Sequence, residues 1–482
     1  MSALLKCLVV LVSGFCVYSQ DVTIDLSTST MVHHLGQKFV GMTLDSSVIE
    51  GNWRTLNLTS SKAIMLAKAL TPSYFRVGGT AADFMIFKRN GTGNKRFIIG
   101  NKKKPSSNYT MTGTDWDKLN YFVENAGLDL IFDLNVFLRK DEQWDPSNTI
   151  DLLKYTVEKG YKLAGVELGN ELNSFHQVNV SAQQDSANFL QLKRVLNEIP
   201  ALAKPLILGP DVASVRKHAR AYVEEFLNAG GKDVVDVVTF HHYYMSNVGA
   251  TLDMFHSPKV LDSLLPDLVE AVNLCRQIVP GKPVWLGETS AAYHYSKDSF
   301  SRLYAGSFMW LDKLGLATRH GIRGLMRQSF YGSSSGLTDK NMNPTNDFWI
   351  TYMYKRLVGR VVLNVTKTTN ENIRYYAHCT NVVSPGYVKG SITVYLMNLG
   401  SNKVNVNITG INKATQQLYI FSPGDQKGLQ SEGIKLNGKV LQLTGNNALP
   451  SLSYQPHEGI IPLNGYNMGF IVLPGADLAA CQ

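Results

Sequence analysis

Short apolar runs recur along the first three quarters of the chain, with segments of helical spacing between them. The runs "FVGMTLD", "YFRVGG", "LDLIFDLN", "AGVELGNE", "PLILGPD", "VVTFHHYY", "PVWLGE" and "GLMRQSFY" end at Asp45, Gly79, Asn135, Glu171, Asp211, Tyr244, Glu288 and Tyr331. Runs of this kind suit strands buried on both faces. Amphipathic segments such as Asn188 to Leu196 and Asp262 to Val279 supply helices between them. Strands alternating with helices predict a parallel sheet, and eight such units predict a (β/α)8 TIM barrel, an α/β fold. After Arg360 the texture changes: "IRYYAHCT", "GSITVYLMNL", "KVNVNITG", "QQLYIFSP", "VLQLTG" and "MGFIVLP" alternate apolar and polar residues between Gly, Asn and Pro turns. That is the pattern of a β-sandwich. The expected domains are a barrel over residues 36–358 and a C-terminal β-sandwich over 359–482, with 20–35 as an N-terminal strand segment joining the sandwich.

The polar residues of the barrel fall in one place. Asp45, Arg76, Asn135, Asn170, Glu171, His242, Tyr244, Glu288 and Gln328 all lie at or near the C-terminal ends of predicted strands. A barrel gathers those ends around one mouth, where catalysis is housed. Glu171 closes "LGNE" on the fourth strand and Glu288 closes "WLGE" on the seventh. Two carboxylates facing each other across a sugar, roughly 5–5.5 Å apart, are what hydrolysis of a glycosidic bond with retention requires. In that reading Glu288 is the nucleophile and Glu171 the acid/base, which has to hold a proton until it protonates the leaving oxygen. Asn170 suits a hydrogen bond to the sugar 2-hydroxyl. Tyr244 is expected to orient Glu288, with His242 near the same carboxylate. Glu167 reads as one half of a buried ion pair, or as a second carboxylate tuning Glu171.

Composition narrows the setting. The N-terminal run from Cys7 to Val17, flanked by Lys6, reads as a signal peptide over residues 1–19. It falls short of the ~20 residues that a membrane anchor needs. Six N-x-S/T sequons, at Asn57, Asn90, Asn108, Asn179, Asn364 and Asn407, agree with export and glycosylation. Secretion is the simplest destination, and lysosomal delivery begins with the same signals. Loss of the signal leaves Cys275, Cys379 and Cys481, too few for a disulfide scaffold. Cys379 and Cys481 share the strand-rich region and are able to form one bridge, while Cys275 reads as a buried thiol.

The formal net charge of +9 favours an acidic polymer as partner. Lys88, Arg89, Lys95, Arg96 and the run Lys102, Lys103, Lys104 form the densest basic stretch, either a polyanion-binding patch or a solvated loop. Nothing has the spacing of a nucleic-acid reader, a zinc site, a P-loop or a dinucleotide fold, so neither metal nor cofactor is expected. No coiled coil or exposed apolar helix argues against a monomer.

The motifs "YFRVGGT", "LGNELNSF", "GPDV", "HHYY", "WLGETS", "AGSFMWLDKLGL" and "MRQSFYG" resemble the heparanase family of endo-β-glucuronidases, from about Asp21 to Cys481. The resemblance implies cleavage at glucuronic acid residues of a glycosaminoglycan, with Glu171 as proton donor and Glu288 as nucleophile. It implies cleft or supporting roles for Asp45, Thr80, Arg139, Asn170, His242, Tyr244 and Gln328, and a disulfide between Cys379 and Cys481. Three departures stand out. The region from about Asn90 to Asp115 is too short for the excised linker of the two-chain members, so a single active chain is expected. Tyr293 is followed by His294, Tyr295 and Ser296 in place of a glycine run. The loop after the eighth strand, "GSSSGLTD", lacks the family's tyrosine. The last two changes touch recognition of the sugar acid; His294, Ser296 and Ser333 to Ser335 are candidate replacements. The same family includes leech-type hyaluronidases, so heparan sulfate and hyaluronan are both candidate substrates, the basic charge favouring the former. A glycan-binding protein without activity is the remaining alternative; the retention of Glu171, Glu288 and Asn170 argues against it.

Overall fold

The computed structural model describes residues 20–91, 108–174, 179–202, 204–294, 296, 299–332, 334–366, 368–383, 386–411 and 415–482. The expected signal peptide and the lysine run at 102–104 lie outside these residues, as do Tyr295 and Ser333. Eight parallel strands close into a barrel. They are β1 (Val40–Asp45), β2 (Tyr74–Gly78), β3 (Asp129–Leu134) and β4 (Gly165–Leu168), then β5 (Leu206–Val212), β6 (Val237–Ser246), β7 (Val284–Tyr293) and β8 (Gly324–Arg327). The TIM barrel expected from the apolar runs is therefore present. Several strands end earlier than the runs suggested. β4 stops at Leu168 because Gly169 turns into the left-handed region at φ +86°, and β8 stops at Arg327, short of Tyr331.

Local chemistry delimits the helices. Thr112 and Asp115 form a capping box at the start of the helix Gly113–Ala126, and Gly127, at φ +70°, ends it. The last barrel helix, Asn346–Leu357, runs straight into the strand Val358–Leu363 of the second domain.

That domain has two sheets. In the larger, Ile392–Asn398 lies between Ile373–Thr380 and Met468–Leu473. In the smaller, the N-terminal strand Gln20–Asp25 runs parallel to Val404–Thr409, which also pairs with Ile461–Leu463. Val22, Ile24, Val394, Leu396, Val406 and Ile471 form the core between them. Met31–His34 joins the larger sheet beside Val358–Leu363, so the N-terminal segment adds a strand to each sheet. Of the predicted "VLQLTG" strand only Val440 pairs. Leu441 still donates to Ile434, but the chain then turns back through the Thr444–Ala448 hydrogen bond. Cys379 and Cys481 form a disulfide that ties the C-terminus to this domain, and Cys275 is a buried free thiol pushed up to about 12 by burial.

The two domains share a core. Helix Gly306–Arg319 is buried at every position from Gly306 to Thr318, one side against the barrel and the other against the outer face of the larger sheet. Tyr376 of that sheet donates to Asp312 at 2.6 Å. Its ring lies over Gly315, where an added Cβ would come within 2.2 Å of it. Gly315→Ala gains about 1 kcal/mol of helix propensity, less than the ~1–3 kcal/mol that overpacking a core costs. The substitution is expected to lower the thermal unfolding midpoint by several degrees; an unchanged or raised midpoint would show that the junction is loosely packed.

Candidate active site

Glu171 and Glu288 meet at the barrel mouth. One carboxylate oxygen of each, with one ring nitrogen of His241, lies within 4.8 Å of the others. This is the close spacing of a retaining pair and well short of the ~6.5–9.5 Å that an inverting pair leaves for water. The two side chains differ in access. Glu171 is 26% exposed and Glu288 11%, so Glu171 faces the open side, where a leaving group departs, and Glu288 sits deeper. Glu171 lies beyond the end of β4 in the left-handed conformation, φ +54°, and so departs from the regular strand that would place Glu167 on its face.

Beneath them Arg76, fully buried on β2, distributes its donors over three strands. Nε donates to Glu167 at 2.6 Å, Nη1 to Glu288 Oε2 at 2.8 Å, and Nη2 to Asp211 at 2.5 Å and to the Asn170 amide oxygen at 3.0 Å. Glu167 is thus the buried ion pair of the two readings. Burial, with the neighbouring Glu171, raises Glu288 above the ordinary carboxylate range, and His241, Arg76 and a hydrogen bond from Tyr243 offset this only in part.

Tyr243 donates to Glu288 Oε1 at 2.6 Å, and this corrects the assignment of Tyr244 to that role. The Tyr244 hydroxyl is buried with no hydrogen-bond partner, and its ring lies 4.5 Å from the Lys313 ammonium. His242 likewise gives way to His241. The His242 Nδ1 lies 3.2 Å from Lys313 Nζ, whereas His241 Nδ1 lies 2.7 Å from Glu171 Oε1 and its Nε2 3.0 Å from Asp211. The physical reason is strand parity. His241 and Tyr243 share the inward face of β6 with Thr239, which accepts from the Asp211 N–H, while His242 and Tyr244 face the surrounding helix. "VVTFHHYY" carries this signal: Val238 and Phe240 belong to one face, Thr239 to the other. Burial opposes charge on His241, but Asp211 and Glu171 on either side hold its imidazole well above the ordinary range. Glu171, His241 and Glu288 are the described residues whose atoms converge as metal ligands would. An imidazole held toward its protonated form in this way has no lone pair to offer, so the cluster suits a charge and proton network.

The other predicted residues divide. Asp45 accepts from Gln328 Nε2 at 3.2 Å, and Gln328 in turn accepts from Thr43, which links the ends of β1 and β8 at the rim. Tyr293, 45% exposed, sets its ring 6.1 Å from that of Tyr243. Asn135 is spent on loop structure, bonding Met85 O and Phe137 N–H. Arg139 bonds Asn188 at 3.3 Å, and Thr80 is exposed just past β2; no contact places either beside the glutamates. His294, at φ +62°, is fastened by Ser246 and Asn247, and Ser334 donates to its carbonyl. Four residues outside the predicted set complete the site: Arg76, Asp211, His241 and Tyr243. Arg76 and Asp211 were visible as strand-end polar residues, but nothing in the sequence marked them as partners of the glutamates.

Residues 21–315 match the model of the glycosyl hydrolase family 79 N-terminal domain. Heparanase of Mus musculus is 32% identical over 95% of this chain and 94% of its own length. Hyaluronoglucuronidase of Hirudo nipponia is 31% identical over 96% of this chain and 100% of its own. Among solved structures, a 4-O-α-L-rhamnosyl-β-D-glucuronidase from Fusarium oxysporum has a TM-score of 0.71 over 94% of this chain and 100% of that one; at 15% identity it speaks for the fold alone.

Two predictions follow from the geometry. Tyr243→Phe removes a hydrogen bond to a charged group, a loss of ~1.5–3 kcal/mol, and should lower kcat/KM about 10- to 100-fold, whereas Tyr244→Phe should leave it nearly unchanged; equal effects would return the role to the pair as a whole. Asp133 lies in the same buried network, and burial, against the pull of Arg76, pushes it from 3.8 to about 7. The folded chain then binds this proton more tightly than the unfolded chain does, so the contribution of Asp133 to stability falls as pH rises from about 4 to about 7. Asp133→Asn should flatten the fall. Thermal unfolding at about pH 4.5 and 7.5 tests this, and an unaltered pH slope would contradict it.

Proposed function

The chain belongs to glycosyl hydrolase family 79, and on that premise we propose that it is a retaining endo-β-glucuronidase that cleaves internal glucuronic acid linkages of heparan sulfate. The observation that carries the reading is the converging pair of carboxylates, one held by Arg76 and Tyr243 and the other by His241. Glu288, with each oxygen engaged by a donor, is kept as a carboxylate despite burial and attacks the anomeric carbon. Glu171 protonates the departing oxygen, drawing on the proton that its 2.7 Å contact with His241 holds at this edge of the cleft. In the second step Glu171 takes a proton from water, which releases the sugar from Glu288. The Asn170 amide, its oxygen fixed by Arg76, is placed to meet the 2-hydroxyl of the bound sugar.

Substrate choice rests on charge. A surplus of nine positive charges favours the more densely anionic, sulfated polymer. Hyaluronan is the second reading, supported by the end-to-end match to the leech hyaluronoglucuronidase and by the replacement of the glycine run after Tyr293. In either case the chain acts as an exported glycoprotein. Asn57, Asn90, Asn108, Asn179 and Asn364 are exposed and Asn407 partly so, and among the described residues no helix is long and apolar enough to cross a membrane.

Size-exclusion chromatography of heparan sulfate and of hyaluronan, each incubated with the protein at about pH 5 and 7, tests the proposal. Heparan sulfate is expected to shorten. Glu171→Gln should slow this ~10²–10⁴-fold, and Glu288→Gln should abolish it. Shortening of hyaluronan alone would move the assignment to the second reading, and cleavage unaffected by Glu288→Gln would overturn the mechanism.

A further inference from the structure

Three consecutive peptide N–H groups lead into the acid/base glutamate, and each is captured from outside its own strand. Gly169 N–H is shared between Asp133 Oδ1 at 3.0 Å and the Leu134 carbonyl at 3.2 Å, Asn170 N–H donates to Asp83 Oδ1 at 3.0 Å, and Glu171 N–H donates to the Asp211 carbonyl at 2.9 Å. Two of these acceptors are carboxyl groups from other parts of the barrel. Asp133 sits on β3, and Asp83 lies in the 3₁₀ turn Ala82–Phe84 that follows β2. Both are fully buried. The segment they grip is unusual: Gly169 is at φ +86° and Glu171 at φ +54°, a conformation that costs an L-residue roughly 1–2 kcal/mol. Without outside anchors the chain would relax toward a regular strand, and the Glu171 carboxyl would leave its station opposite Glu288.

We propose that Asp83 and Asp133 are positioning residues for Glu171, gripping the peptide groups of Gly169 and Asn170 so that the left-handed Glu171 presents its carboxyl to the leaving oxygen. The proposal rests on the assignment of Glu171 as acid/base. What the grip needs at each peptide N–H is an acceptor oxygen, which an amide supplies as well as a carboxyl group. Burial and mutual repulsion push Asp83 above the ordinary carboxylate range, and burial does the same to Asp133. Among the described residues the second oxygen of Asp83 is buried without a hydrogen-bond partner, while Asp133 is also met by the Gly79 backbone. A neutral amide of the same shape should therefore serve nearly as well, whereas a side chain that cannot reach should not.

Leaving-group dependence separates positioning from general structural damage. Glucuronic-acid-terminated oligosaccharides bearing either 2,4-dinitrophenol, which departs without a proton, or a simple alcohol, which requires one, are the substrates. With Asp83→Ala, kcat/KM for the alcohol is expected to fall about tenfold or more, toward the ~10²-fold that a misplacement of about 1 Å costs. For dinitrophenol it should stay within about twofold of wild type, and Asp83→Asn should restore the alcohol substrate. If Asp83→Ala does not fold, Asp83→Ser, whose hydroxyl is too short to reach Asn170 N–H, takes its place. Equal losses on both substrates, no loss on either, or an Asn variant as impaired as the Ala variant would each overturn the proposal. Glu171→Ala is the internal reference. Were it to lose both substrates alike, or were wild type to cleave neither, the acid/base assignment itself would fall; the grip fails alone when Glu171→Ala discriminates and Asp83→Ala does not.

Discussion

Arg76 is the cation on which the active site is built. Its guanidinium is fully buried and bonds carboxylates from β4, β5 and β7 together with Asn170. Taking such a charge out of water costs several kcal/mol, offset only when geometry and hydrogen bonding are nearly complete. Here every nitrogen of the fork is engaged, and the planar fork does what a lysine at this position could not. The consequence for chemistry is direct. Burial alone would favour a protonated Glu288, which could not act as the proposed nucleophile, and Arg76 with His241 and Tyr243 counters that tendency. Around this cation stand more carboxylates than Arg76 and His241 can neutralise: Asp83, Asp133, Glu167, Asp211 and Glu288. Burial pushes Asp83, Asp133 and Glu167 above the ordinary carboxylate range, while Arg76 and His241, against burial, hold Asp211 below it.

A second constraint lies behind the strands. Lys313, on the helix buried between the domains, donates to Thr289 Oγ1 at 2.6 Å, to Ser290 O at 2.7 Å and to His242 O at 3.2 Å. It therefore pins β6 to β7 at the level of Tyr243 and Glu288. Burial and the nearby Arg327 push Lys313 well below the ordinary lysine range, while the three acceptors it meets call for all three N–H groups of the ammonium. Since the opposite side of the same helix packs on the larger sheet of the sandwich, the second domain has a mechanical part in setting the geometry of the first.

The barrel was legible because burial on both faces leaves an unmistakable record in uniformly apolar runs, and because polar residues at the ends of those runs have one common explanation. Glu171 and Glu288 could be singled out for the same reason. What the runs did not disclose was side-chain parity. Two adjacent histidines and two adjacent tyrosines on β6 offered the choice of His241 and Tyr243 or of His242 and Tyr244, and the family likeness pointed to the second pair, which the structure turns away from the glutamates. The choice is decided by Thr239, whose polarity two residues before His241 marks the inward face. Less visible still were Asp83 and Asp133, whose importance lies in backbone groups distant in sequence. An aspartate in a turn or within a strand carries no sign that it will accept from a particular peptide. The left-handed turn at Glu171 is equally silent, since only Gly169 before it hints at a break.

The catalytic pair acts on the bond, and little in it distinguishes one glucuronide polymer from another. Net charge is no better a discriminator at short range, because a field of this sign draws in any polyanion and changes mainly how fast and how strongly it arrives. Selection therefore falls to groups that touch the sugar acid and its neighbours, at the rim formed by the loops after β6, β7 and β8. There the chain has replaced a flexible glycine run by His294, held in a left-handed conformation by Ser246 and Asn247 and contacted by Ser334. A side chain and carbonyl held in this way lose little freedom on binding. Beside it stands Tyr293, whose exposed ring packs against that of Tyr243, the residue that donates to Glu288. On the proposed function, a sugar seated on Tyr293 would be registered against Glu288, which would make this rim, rather than the glutamates, the part of the fold that sets substrate preference.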